Sequence, residues 1–92
     1  MVSIDELLQL MMEKGASDLH LTVDVSPTLR IDGELVPTEY EKLNEDQCQR
    51  LIYSLLTDKQ KERFESTNEL DLSFGIKNIG RVRMNVFRQR GA

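Results

Sequence analysis

Two alternating apolar runs separated by a short loop constrain this chain more than any other feature. Leu70, Leu72, Phe74 and Ile76 alternate with Asp71, Ser73 and Gly75, and Val82, Met84 and Val86 alternate with Arg81, Arg83 and Asn85. Side chains of a strand point alternately to its two faces, so each run is a half-buried strand. Pairing Ile76 with Gly80 sets Phe74 against Val82, Leu72 against Met84 and Leu70 against Val86, and every apolar pair then falls on one face. Lys77-Asn78-Ile79, followed by a glycine free to take positive φ, is a three-residue hairpin loop. A sheet with one buried face follows, and helices must cover that face.

Hydrophobic periodicity, helical or alternating, finds the other elements. Ile4, Leu7, Leu8, Met11 and Met12 form a helical stripe over Ser3–Lys14, with Ser3 and Glu6 as a capping box and Gly15 as the stop. The methionines read as core filler. Leu19, Leu21 and Val23 point inward from a strand at Asp18–Val23, with Asp18, His20 and Thr22 outward. After Pro27, Leu29 and Ile31 face inward and Thr28 and Arg30 outward; Asp32-Gly33 then turns the chain into a short strand at Glu34–Val36. Asn44–Leu56 is a second helix with Cys48, Leu51, Ile52, Leu55 and Leu56 on its apolar stripe, capped by Asn44 with Gln47. Thr57 starts a charged third helix, roughly 58–66, anchored by Phe64. The predicted order is α-β-β-β-α-α-β-β, an α+β domain with an antiparallel sheet.

Ninety-two residues suit one domain with a modest core, which must be aliphatic because Trp is absent and only two Tyr and three Phe occur. One cysteine allows no internal disulfide, which fits a reducing compartment. No apolar run nears the roughly 20 residues of a membrane span, and the acidic start at Asp5 and Glu6 is unlike a signal peptide. These features predict a cytoplasmic protein.

Charge is uneven. Residues 80–92 hold Arg81, Arg83, Arg88 and Arg90 and no acid; the whole chain is −4, so residues 1–79 carry −8. The acidic body argues against nucleic acid as a partner. Arg81 and Arg83 share one strand face about 7 Å apart and can present two planar forks to a phosphate. The alternative is a solvated face on which Arg83 only makes cross-strand contacts with Ser73 or Asp71. Phe87 breaks the alternation, which suggests a bulge or packing under further chain.

His20 is the only histidine, and Cys48 sits on a buried stripe, so no zinc site is predicted. His20 reads as a surface or interface residue more readily than as half of a dyad with Asp18 or Ser17. The five glycines stand singly, and neither a nucleophile elbow nor a Gly-x-x-x-x-Gly-Lys phosphate loop occurs. From its residues alone the chain is a binding or docking module, with no complete active site.

Three blocks carry a family resemblance. Glu13-Lys14-Gly15-Ala16-Ser17-Asp18-Leu19-His20-Leu21, Pro27-Thr28-Leu29-Arg30-Ile31-Asp32-Gly33-Glu34-Leu35 and Arg83-Met84-Asn85-Val86-Phe87-Arg88-Gln89-Arg90-Gly91 resemble, in family order, segments of the twitching-motility ATPases of the PilT type, within the secretion-ATPase superfamily. The resemblance covers essentially all 92 residues. It implies an N-terminal PAS-like domain, with a RecA-like ATPase domain expected beyond Ala92 that would bind ATP and magnesium. On that reading this stretch alone binds no cofactor and hydrolyses nothing.

The resemblance further implies a homohexameric motor at the inner-membrane base of the type IV pilus machine. Its partners would be the C-terminal ATPase domains of its own and neighbouring subunits and the pilus platform in the membrane. By motif, Arg83 and then Arg81 would reach nucleotide phosphates held by the C-terminal domain, and Gln89, Arg90 and Gly91 would open the linker. Glu39, Glu41, Glu45 and Asp46 are one candidate docking face; a solvated surface is the other reading. The competing functions are a free-standing PAS-like sensor for a small anion or cyclic dinucleotide, and an interaction module without ligand.

Overall fold

A computed structural model describes residues 2–66 and 69–87, with the side chains of 63–66, 69–72, 74 and 85–87 left aside. Its elements run α1 (Ile4–Lys14), β1 (Asp18–Thr22), β2 (Thr28–Ile31), β3 (Glu34–Pro37), α2 (Glu45–Tyr53), α3 (Asp58–Ser66), β4 (Glu69–Ile76) and β5 (Gly80–Phe87). This is the predicted order. Phe64 as an anchor, the side chains of Asn85 and Phe87, and residues 88–92 with the linker expected there lie outside the described residues.

The five strands form one sheet in the order β3-β2-β1-β5-β4. Both predicted hairpins are antiparallel. In the second, Ile76 pairs with Gly80, Phe74 with Val82, Leu72 with Met84 and Leu70 with Val86, the register that the alternation requires. Pairing continues through Glu69 and Phe87, so no bulge interrupts the strand there. In the first, Asp32 and Gly33 both take positive φ, 50° and 83°, as a two-residue turn of the primed type demands.

The two hairpins join through β1 and β5, which run parallel, with Asp18 beside Arg81 and His20 beside Arg83. The sheet is therefore mixed, antiparallel except at its centre. Gly80 makes the junction possible. Its φ is 152°, and a Cβ there would stand 2.7 Å from the Ser17 carbonyl oxygen. That carbonyl accepts the Arg81 N–H at 3.0 Å, which seats β5 against the start of β1.

The helices supply the cover. Ile4, Leu7 and Met11 of α1 and Cys48, Leu51 and Ile52 of α2 form one core with Leu19, Leu21, Leu29, Val82 and Met84 of the sheet. Met12, read as core, is 58% exposed. The 3-and-4 spacing of Ile4, Leu7 and Met11 centres the buried stripe, and Met12 falls about 100° round from Met11.

Capping follows the sequence with one difference. Ser3 accepts the Glu6 N–H at 3.1 Å, but the Glu6 carboxylate meets the Ser3 hydroxyl rather than its N–H. In α2 both halves of the Asn44–Gln47 box are made. That helix stops at Tyr53, short of the predicted Leu56. Ser54 Oγ donates to the Arg50 carbonyl, and Thr57 already shares two hydrogen bonds with Gln60 to start α3.

Candidate functional site

The sheet face turned away from α1 and α2 carries the candidate site. Strand alternation that buries Leu19, Leu21, Val82 and Met84 puts Asp18, His20, Arg81 and Arg83 on the other side, and Arg30 arrives from β2 opposite Asp18. Arg81 and Arg83 are both exposed and share a face, as predicted. Arg30 and Arg83 thus flank one described carboxylate, with Arg81 beside it in register.

That carboxylate organises the face. Ser17 Oγ donates to Asp18 Oδ2 at 2.7 Å, and Arg83 Nε donates to Oδ1 at 3.2 Å. Arg30 Nε stands 3.9 Å from Oδ2, while Arg30 Nη1 donates to the Gly33 carbonyl at 2.9 Å. The Asp18 side chain is only 14% exposed. The Ser17 hydroxyl, helped by Arg83 and opposed by partial burial, holds its acid below the ordinary value of 3.8. Asp18 is therefore ionised at neutral pH and holds Arg83 by a charge-assisted bond.

Arg81 is held differently. Its Nη1 donates to Ser73 Oγ at 2.7 Å, so a terminal nitrogen of its fork is engaged across the hairpin. Arg83 is the Cα partner of Ser73, yet it turns to β1 and does not make the cross-strand contact with Ser73 that the alternative reading offered. Asp71, its other expected neighbour, lies among the side chains left aside.

His20 is half-buried between Thr28 and Arg83 in register. Burial pushes its pKa below 6.5, so the ring is neutral at neutral pH. Its Nε2 is buried without a hydrogen-bond partner among the described residues, and no hydrogen bond joins His20 to Asp18 or Ser17 there. Thr28, expected outward, is 9% exposed, and its hydroxyl donates to the Ser26 carbonyl at 2.9 Å. Cys48 is buried in the core with its thiol pushed up to about 11, and is chemically inert there. Among the described residues no three His, Cys, Asp or Glu side chains converge as metal ligands, and no helix is long and apolar enough to cross a membrane.

The chain is 40% identical over 92 residues to the type IV pilus retraction ATPase PilT of Pseudomonas aeruginosa, and 30% identical over 89 residues to the type IV pilus ATPase PilU of the same organism. It superposes with a TM-score of 0.70 on a crystal structure of the pilus retraction motor PilT with bound ADP, at 38% identity and over 100% of its length. Over its whole length this chain is similar to the N-terminal part of PilT-type pilus ATPases. It spans about a quarter of those relatives, 27% of PilT and 23% of PilU. No family model matches the chain. The α+β fold expected from the order of helices and strands is the fold observed, and it is similar to that of PilT.

Sequence reasoning selected Arg83 and Arg81 but missed the group that Asp18, Ser17 and Arg30 make with Arg83. All three lie inside the first two PilT-type blocks, Glu13–Leu21 and Pro27–Leu35, and that was the available signal. Nothing in the spacing of those blocks says that β1 pairs with β5.

Proposed function

We propose that this chain is the N-terminal domain of a type IV pilus retraction ATPase, the motor of twitching motility. In this reading it helps to assemble a homohexameric ring and lends arginines to nucleotide held by a C-terminal RecA-like domain. ATP and magnesium belong to that second domain, encoded beyond Ala92, with Gln89, Arg90 and Gly91 opening the linker. The ring sits in the cytoplasm against the inner-membrane platform of the pilus.

The single supporting observation is similarity to PilT over the whole chain in both sequence and fold. The exposed pair Arg81 and Arg83 is compatible with the nucleotide role, because arginine forks spread over phosphate oxygens as negative charge builds up. Arg83 is the stronger candidate, since its terminal nitrogens have no partner among the described residues.

The test is ATP turnover by the longer protein. Arg83→Ala is expected to lower kcat at least about tenfold with an unchanged melting temperature, an arginine-finger effect of moderate size. Unchanged turnover would remove Arg83 from the nucleotide site. Calorimetry of the 92-residue chain with ATP is expected to show no tight binding; tight binding would favour a free-standing anion sensor.

A further inference from the structure

An arginine that serves a ligand in another domain must be held without using up the nitrogens that meet the ligand. A guanidinium has five N–H donors, one on Nε and four on its terminal nitrogens. The Arg83 contact to Asp18 runs through Nε alone, and the side chain stays 52% exposed. Among the described residues nothing else bonds it. Arg81 is the opposite case, tied by a terminal nitrogen to Ser73.

Asp18 is built to hold something. A carboxylate with 14% of its side chain exposed is itself fixed by the Ser17 hydroxyl at 2.7 Å and flanked by Arg30. Ser17 is anchored in turn, its N–H to the Arg30 carbonyl and its own carbonyl to the Arg81 N–H. The support beneath Arg83 is thus β-sheet backbone, 65 residues away in sequence. Beside it His20 is neutral and does not compete as a cation for the carboxylate.

We propose that Asp18 is a positioning residue for Arg83: it grips Nε, fixes the angle of the guanidinium and leaves the terminal N–H groups for an anionic ligand, the phosphate of a nucleotide. This rests on the reading above, in which Arg83 meets nucleotide. Asp18 touches no ligand itself and acts only through Arg83. Orientation of this kind matters because a misplacement of about 1 Å can cost about a hundredfold in rate.

The experiment is a double-mutant cycle in the longer ATPase, read as kcat and KM for ATP with a melting temperature for each variant. Asp18→Asn keeps the shape and removes the charge. It is expected to lower kcat about tenfold, with a smaller change in KM, and to add no loss to Arg83→Ala. An Asp18→Asn loss that multiplies fully with Arg83→Ala overturns the inference and leaves the nucleotide reading standing. If Arg83→Ala alone leaves turnover unchanged, both fall.

Should Asp18→Asn not fold, two further measurements decide. Ser17→Ala frees one carboxylate oxygen and is expected to lower kcat about threefold, again only when Arg83 is present. In the 92-residue chain at neutral pH, the Arg83 Nε–H resonance should exchange with water more slowly than that of Arg81. Equal exchange of the two overturns the inference.

Discussion

The two faces of this sheet are made by alternate residues of the same strands, yet they are held by different physics. The covered face is aliphatic; Leu19, Leu21 and Val82 are fully buried there against α1 and α2. Non-directional burial stabilises it, at about 25 cal/mol for each Å² removed from water. The other face is held by a few directional contacts to one carboxylate and one hydroxyl. Its ion pairs, with both arginines partly exposed to water, add little to stability. What they fix is orientation, and a face that fixes orientation at small stability cost is suited to meeting a ligand.

That contrast is broken most severely from the covered side. Leu21→Ala should cost about 2–5 kcal/mol, seen as a lower midpoint in urea, because the cavity lies where helix meets sheet. Arg83→Ala on the opposite face should leave that midpoint within about 0.5 kcal/mol. Comparable losses from the two would erase the distinction.

The junction comes next in size. Gly80→Ala should cost about 1–3 kcal/mol, since positive φ combines with a methyl forced against the Ser17 carbonyl. Gly33→Ala has open space around it and should suffer only the conformational part of that loss. Thermal melts of the two variants check the ranking.

Smaller effects are read from pH. The folded pKa of His20 lies below 6.5, so the unfolded chain binds its proton first, and stability falls as pH drops through that value. Asp18 also has a depressed pKa; its contribution is complete above 3.8 and is lost as pH falls below it toward the folded value. Stability should therefore decline as pH falls below 6.5 and again as it falls below 3.8, and His20→Phe should abolish the loss that begins at 6.5. A single acid transition unchanged by that variant would deny His20 its neutral, buried state. The smallest effect is expected at Met12→Gln, within about 0.5 kcal/mol, because that side chain is largely exposed. A loss like that of a core deletion would restore Met12 to the core.

The fate of the two methionines illustrates how far a periodic pattern reaches. A stripe identifies a helix and its buried side; it does not fix the width of that side. Met11 and Met12 look equivalent in sequence, and the sheet beneath α1 covers only Met11. The hairpin of β4 and β5 was more legible, since its strands are three residues apart and a slip of one would turn every apolar side chain to solvent. Helix ends were partly legible: Asn44 and Gln47 cap as their types require, while Ser54 ended α2 by a hydrogen bond that the apolar stripe running to Leu56 conceals.

The element order, the register of the β4–β5 hairpin and the placing of Arg81 and Arg83 on one face are legible in the local pattern, because each depends on contacts close in sequence. That β1 lies parallel to β5, and with it that Asp18 reaches Arg83, emerges only in the folded chain. Parallel neighbours are joined by distant chain, and no local periodicity names the partner across 65 residues. The burial that selects this pairing is shared among α1, α2 and all the strands at the centre of the sheet.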